Sequence, residues 1–214
     1  MIISVFGPDG VGKSTVTQPL TDLGWCVFSG TGVANWPDQT WHQELTKAGI
    51  DETVISTEDH LFEKIRRVHA MARELEKDQK VVVIDSDPFH KTLMHDYARA
   101  LPDIKRAQQI LEQRFTQLSN IANYENDARI HVYIQISDVQ DDLEQAKILQ
   151  DRVHARGALA HFDPKSIDQS LASIKAYRAI KELLDTKNKQ VITVTSSGPL
   201  DIQRFIQEIK ALDN

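Results

Sequence analysis

Cysteine is almost missing from this chain. Cys26 is the only one in 214 residues, which excludes an internal disulfide framework; its apolar neighbours in WCVF predict a buried structural thiol rather than a reactive one. Long apolar runs are missing too. No stretch reaches the length needed to span a bilayer, and the opening residues lack the basic start and the length of a secretion signal. A cytoplasmic protein with no membrane partner is expected. Positive charge is the scarcer sign, with 25 Lys and Arg against 31 Asp and Glu for a net charge of −6. That balance argues against a protein that coats nucleic acid, so no stable nucleic-acid binding is expected, although a local basic pocket is allowed. Internal repeats, low-complexity tracts and polar linkers are absent as well, and residues 1–214 read as one domain.

Glycine is sparse, at nine residues, yet three of the nine fall within six positions near the start, in GPDGVGKST. Ile2, Ile3, Val5 and Phe6 predict a short buried strand and Val11 to Leu23 a helix, so these glycines occupy a strand-to-helix turn. Gly7, four residues, then Gly12-Lys13-Ser14 is the P-loop spacing, in which backbone N–H groups curl around phosphate oxygens at a helix N-terminus. The expected ATP-binding segment is Gly7, Asp9, Gly10, Val11, Gly12, Lys13, Ser14 and Thr15. Lys13 would reach the β- and γ-phosphates as a catalytic cation, and Ser14 would ligate Mg²⁺. ATP and Mg²⁺ are the implied cofactors.

Apolar runs at Ile2–Phe6, Trp25–Phe28, Val81–Ile84, Ile130–Ile136 and Val191–Val194 alternate with longer amphipathic segments. The pattern predicts an α/β protein of the P-loop NTPase fold, a parallel β-sheet flanked by helices. Two segments read as excursions over the strand ends, where acceptors and lids are expected. One is about 29–57, with Trp36, Pro37, Trp41 and Gly49; the other is a short lid at about 152–166. In KVVVIDSDPFHKT, Asp85 falls at the C-terminal end of a strand, where a catalytic carboxylate can orient Mg²⁺ or accept a proton from a hydroxyl. Asp87 reads equally well as an acceptor-side carboxylate and as the cap of the helix that Pro88 opens.

These residues resemble the thymidylate kinases. GPDGVGKST looks like that family's P-loop, and LFEKIRRVH carries a Leu-Phe, an arginine four after the Phe and a histidine three later. RVHARG resembles its lid, and VTSSGPLDIQRFIQEI its last strand, adenine loop and helix, so the likeness runs along nearly the whole chain. The resemblance implies that Phe62 stacks on the acceptor base, that Arg66 bonds its edge and that Asp9 contacts the acceptor sugar. Leu61, Ile65, Val68, Ala72 and Leu75 form the core stripe of this helix, which puts Phe62, Arg66, His69 and Arg73 on an adjoining face. An ordinary half-buried Phe among solvated arginines fits that face equally well. The family divides between members with an arginine inside the P-loop and members with a glycine there and arginines in the lid. Gly10 makes this chain resemble the latter, with Arg152 and Arg156, at i and i+4, as catalytic cations for the transferred phosphoryl group.

The departures from the family lie on the acceptor side. Asp85-Ser86-Asp87 stands where the family has an Asp-Arg pair, FSGTGVANW replaces its basic-acidic-proline stretch, and Ala160-His161 replaces the Asp-Arg after the lid glycine. Lys91, His90 and Arg73 are candidate substitutes for the missing cation, Lys91 foremost, so the expected substrate-binding set is Asp9, Phe62, Arg66, Asp87 and Lys91. A nucleoside monophosphate is the preferred acceptor, thymidylate-like. A nucleoside, with Asp85 or Asp87 as base, is the alternative; a P-loop switch or a kinase-like protein that binds without turnover belongs to another class. No Asn/Thr-Lys-x-Asp base-reading motif supports a GTPase. The oligomeric state is open, a homodimer included.

Overall fold

Five short strands form one parallel sheet, ordered β2-β3-β1-β4-β5. They are β1 (Ile2–Phe6), β2 (Cys26–Ser29), β3 (Val82–Asp85), β4 (Ile130–Gln135) and β5 (Gln190–Thr195). The structure is a computed structural model and describes residues 1–34, 60–79, 81–122, 124, 128–136, 141–155, 164–195 and 199–212. All five residues of β1 are buried, as an interior strand of a parallel sheet with both faces covered must be. The helices among the described residues are α1 (Lys13–Thr21), α2 (Gly30–Ala34), α3 (His60–Asp78), α4 (Pro88–Ala100), α5 (Ile104–Ala122), α6 (Asp142–Ala155), α7 (Ile167–Thr186) and α8 (Pro199–Leu212).

Alternation along the strands sorts the core into layers. Ile3, Val5, Val132 and Ile134 point to one face and meet Val16 and Leu20 of α1, Leu149 of α6 and Phe205 and Ile209 of α8. Phe6 and Tyr133 point to the other, against Phe89 and Leu93 of α4, Leu111, Phe115 and Leu118 of α5 and Tyr177 of α7. Ile2, Val82 and Ile84 close the β2 end with Val33, Ala34, Val68 and Ala72. Each such fully buried aliphatic or aromatic side chain is worth about 1.5–3 kcal/mol relative to exposure.

The strands agree with the sequence reading to within a residue or two. Helix α1 is shorter than Val11–Leu23 because Gly12, at φ 96°, is its left-handed N-cap and the chain turns again after Thr21. Of the segment 29–57, Ser29 ends β2 and Gly30–Ala34 form α2; residues 35–57 lie outside the described residues. Of the lid at 152–166, only 152–155 and 164–166 are described, so Arg156 also lies outside them. Among the described residues no helix is long and apolar enough to cross a membrane.

The register decides where ligands can go. Val5 lies opposite Asp85 and Phe6 opposite Tyr133, so β1, β3 and β4 end side by side. From β1 the chain turns toward β2 and β3, then crosses back to β4 on the other side. That reversal opens a crevice at the C-terminal ends of β1 and its neighbours.

Candidate phosphate and acceptor site

The loop leaving β1 is held between two walls. A Cβ on Gly7, at φ 151°, would stand 2.5 Å from the Ile134 carbonyl oxygen of β4. On Gly10, at φ 84°, it would stand 2.9 Å from the Leu149 carbonyl oxygen of α6. Both positions exclude side chains for backbone reasons, so the glycine that the resemblance marks at Gly10 also seats the loop on the helix that leads to the lid. Val11, 1% exposed, pins the loop from below. Asp9 keeps partial exposure, and Ser14 and Thr15 are exposed on the first turn of α1. The Lys13 ammonium donates to the Gly7 and Pro8 carbonyl oxygens at 2.8 and 3.0 Å and reaches Asp9 Oδ1 at 3.4 Å. Burial pulls its pKa below the ordinary lysine value, against the pull of Asp9 and Asp85.

Asp85 meets this loop from β3. Its Oδ2 accepts from Ser14 Oγ at 3.1 Å and Thr17 Oγ1 at 3.3 Å. A hydroxyl and a carboxylate at an open edge are an all-oxygen donor set, which fits a hard cation such as Mg²⁺. Among the described residues no three His, Cys, Asp or Glu side chains converge as a metal site.

Ser86 separates the two carboxylates. Its φ of 60° is left-handed, a conformation that is strained for a residue with a Cβ, and Thr31 Oγ1 holds it by donating to its carbonyl at 2.8 Å. Asp85 therefore faces the loop while Asp87 turns inward, where it is 1% exposed. Asp87 caps α4 by accepting from Phe89 N at 2.9 Å, and Ser4 Oγ donates to its Oδ2 at 2.7 Å. His69 Nε2 lies 3.1 Å from its other oxygen and Arg129 Nη1 3.6 Å from Oδ2. The cap is the role that this geometry meets. The Asp87 oxygens are engaged by interior groups, while the residue also borders the small cavity beside Lys13 and Lys91.

The cluster around Asp87 was not legible in the sequence. Ser4 and His131 are neighbours in register on β1 and β4, both 0% exposed, and are polar letters inside apolar strand runs. His69 is also 0% exposed, which corrects its assignment to an off-core face. Arginine can only donate, so its contact with His69 Nδ1 leaves the imidazole proton on Nε2, toward Asp87. Arg129 also lies over the Tyr124 ring at 4.4 Å. His90 stacks on Phe6 at 4.2 Å and meets His131 Nδ1 at 3.0 Å. It is therefore no candidate for the missing acceptor cation, and Arg73 is drawn away by its bond to the Ala122 carbonyl at 2.8 Å.

These histidines set an acid limit. Burial lowers the pKa of His69 and of His131, and it pushes His90 down to about 4. Burial alone would raise the Asp87 pKa, but His69, His90 and Arg129 overcome it and hold the carboxyl below the ordinary range. As the pH falls below 6.5, histidines in the unfolded chain gain protons that the folded ones refuse, so stability drops. At about 1.4 kcal/mol per tenfold change in proton affinity, His90 alone contributes about 3 kcal/mol of that loss by pH 4. Asp87 adds to it only lower, where the unfolded carboxylate is protonated. Urea titrations should give a lower midpoint at pH 5 than at pH 7; equal midpoints would contradict the neutral, buried histidines.

The acceptor residues suggested by the sequence do not all gather. Lys91, Asp87, Asp9 and Lys13 line one small cavity with Tyr177. Phe62 and Arg66, on α3, line neither this cavity nor the larger one that Asp9 borders. Phe62 packs on the core under the guanidinium of Arg114, 5.6 Å from its ring centre. Arg152 is exposed near the end of α6.

No protein-family model matches the chain, and no curated protein matches it. Solved structures do. Deoxyadenosine kinase from M. mycoides with bound dATP superposes with a TM-score of 0.60 at 15% identity, covering 98% of this chain and 100% of that one. A structure of the same enzyme with the products dCMP and a flexible dCDP gives 0.54 at 16% identity, covering 99% and 100%. The chain has the P-loop kinase fold. At that identity the likeness shows the fold, and thymidylate-like specificity gains nothing from it.

Proposed function

We propose that this chain transfers the γ-phosphoryl group of ATP to a hydroxyl of a nucleoside, with Mg²⁺. The observation that carries the reading is the meeting of Lys13, Ser14 and Asp85 where β1 and β3 end, with Ser14 Oγ 3.1 Å from the Asp85 carboxylate. Ser14 and Asp85 would hold the ion, which supplies charge neutralisation on the phosphates. The amides of Gly10 to Ser14 and the Lys13 ammonium would orient the triphosphate. Among the described residues Asp9, 3.4 Å from Lys13 Nζ, is the carboxylate placed to receive the acceptor's hydroxyl hydrogen. Arg152, with Arg156 beyond it, would face charge that develops on the transferred group.

The likeness to a deoxyadenosine kinase fold supports a nucleoside over the monophosphate first preferred from the sequence. One observation favours the monophosphate as a second reading: Lys91 shares the small cavity with Lys13 and Asp9, as a cation for an acceptor phosphate would. A radiolabelled-ATP screen against the common deoxynucleosides and their monophosphates, with ATP alone as control, tests both. Label is expected on a deoxynucleoside. Label only on monophosphates selects the second reading, and hydrolysis alone, or no turnover, overturns the kinase.

A further inference from the structure

We infer that the small cavity at the end of β1 seats the reacting oxygen of the acceptor, and that the Tyr177 hydroxyl of α7 donates a hydrogen bond to it there. The inference rests on the hydroxyl-acceptor reading and deepens it. Asp9, Lys13, Lys91 and Tyr177 line this cavity together with Ser86 and Asp87, and it measures about 10 Å³. That is about the room one water-sized group needs, so a hydroxyl oxygen fills it and a whole phosphate group does not fit inside.

Tyr177 is the second, independent sign. It is 4% exposed, and its hydroxyl makes no hydrogen bond among the described residues. The Ser119 and Ser173 hydroxyls are sealed as well as unbonded; that of Tyr177 is not among the sealed ones and keeps surface of its own, on a residue that borders the cavity. Its ring is held in the aromatic layer with Phe6, 6.2 Å between centres, and with Tyr133, so the donor is in place before any acceptor arrives.

The other polar groups on the wall are engaged or charged. Ser86 Oγ donates to Asp85 Oδ1 at 3.1 Å, two of the Lys13 protons go to the Gly7 and Pro8 carbonyls, and the Asp87 oxygens take interior donors. Tyr177 is therefore the neutral donor left for a neutral oxygen. Burial and the Asp9 carboxylate hold its pKa well above the ordinary tyrosine value, so the phenol keeps its proton. An alcohol oxygen carries two lone pairs and one hydrogen. In this seat one pair accepts from Tyr177, the hydrogen faces Asp9, and the second pair is free for the γ-phosphorus. As that bond forms, the bond from the γ-phosphorus to its bridging oxygen breaks, ADP leaves with the electron pair, and the hydrogen passes to Asp9.

Steady-state kinetics of Tyr177→Phe with the deoxynucleoside that the screen identifies test the assignment, beside inhibition by the same deoxynucleoside with its reacting hydroxyl replaced by hydrogen. Tyr177→Phe keeps the ring and should melt near the parent. Its kcat/KM for the acceptor should fall about 2- to 10-fold, the equivalent of one hydrogen bond, with the ATP KM unchanged. The analogue without the hydroxyl should inhibit both proteins equally, since it lacks the atom that the phenol bonds. An unchanged acceptor kcat/KM overturns the seat, and so does an analogue that loses affinity in step with the acceptor; either result leaves the kinase reading standing. Label on monophosphates alone, or on no acceptor at all, overturns the hydroxyl-acceptor reading and the seat with it.

Discussion

Lys13→Ala should lose phosphoryl transfer by roughly 10²–10³-fold while remaining folded, since a preorganised charge aimed at developing phosphoryl charge is worth that much. The loop's shape does not depend on the lysine. Gly7 and Gly10 sit against the Ile134 and Leu149 carbonyls, and Val11 is buried beneath them, so removal of the ammonium frees two carbonyl oxygens without removing a wall. Lys13→Arg should fail to rescue, because a planar guanidinium cannot occupy the compact space between the Gly7 carbonyl and Asp9. Circular dichroism and a thermal melt establish the fold, and turnover of labelled ATP establishes the loss. Full turnover in a folded Lys13→Ala protein removes the reading on which the rest depends.

What could be read from the sequence was what the chemistry encodes locally. A loop that wraps phosphate needs its glycines at fixed spacing, and a strand buried on both faces needs an unbroken apolar run, so GPDGVGKST and VVVID announce themselves. Boundaries drifted where one torsion decides them, as at Gly12, whose φ of 96° starts α1 later than the apolar pattern does. The interior polar cluster was illegible for a different reason. Ser4 meets His131 only through the register of β1 with β4, and no local period foretells that pairing. His69 misled because a single stripe was assumed for α3, whereas this helix is covered on two sides, with Val68 and Ala72 in one core layer and Ile65 in another. The direction of Asp87 turned on the φ of Ser86, a left-handed serine where the sequence offers no glycine.

Asp87→Ala should cost about 3–5 kcal/mol of folding stability, the price of taking the carboxylate out of a buried, hydrogen-bonded charge cluster. Arg129, 3% exposed, would lose a carboxylate neighbour, and Phe89 N and Ser4 Oγ would lose an acceptor. Against a typical total of about 5–15 kcal/mol, that is enough to leave a substantial unfolded fraction on modest warming. Asp87→Asn keeps an oxygen for the cap but not the charge, so it should fall between the parent and Asp87→Ala. The double replacement Asp87→Ala with Arg129→Met removes both charges and should recover part of the loss; the coupling measured by such a cycle is the signature of the buried pair. Urea denaturation of the parent, Asp87→Ala, Asp87→Asn, Arg129→Met and the double variant reads these differences directly. An Asp87→Asn protein as stable as the parent, yet reduced roughly 10²–10⁴-fold with a hydroxyl acceptor, would instead make this carboxylate a general base and dismiss its structural role.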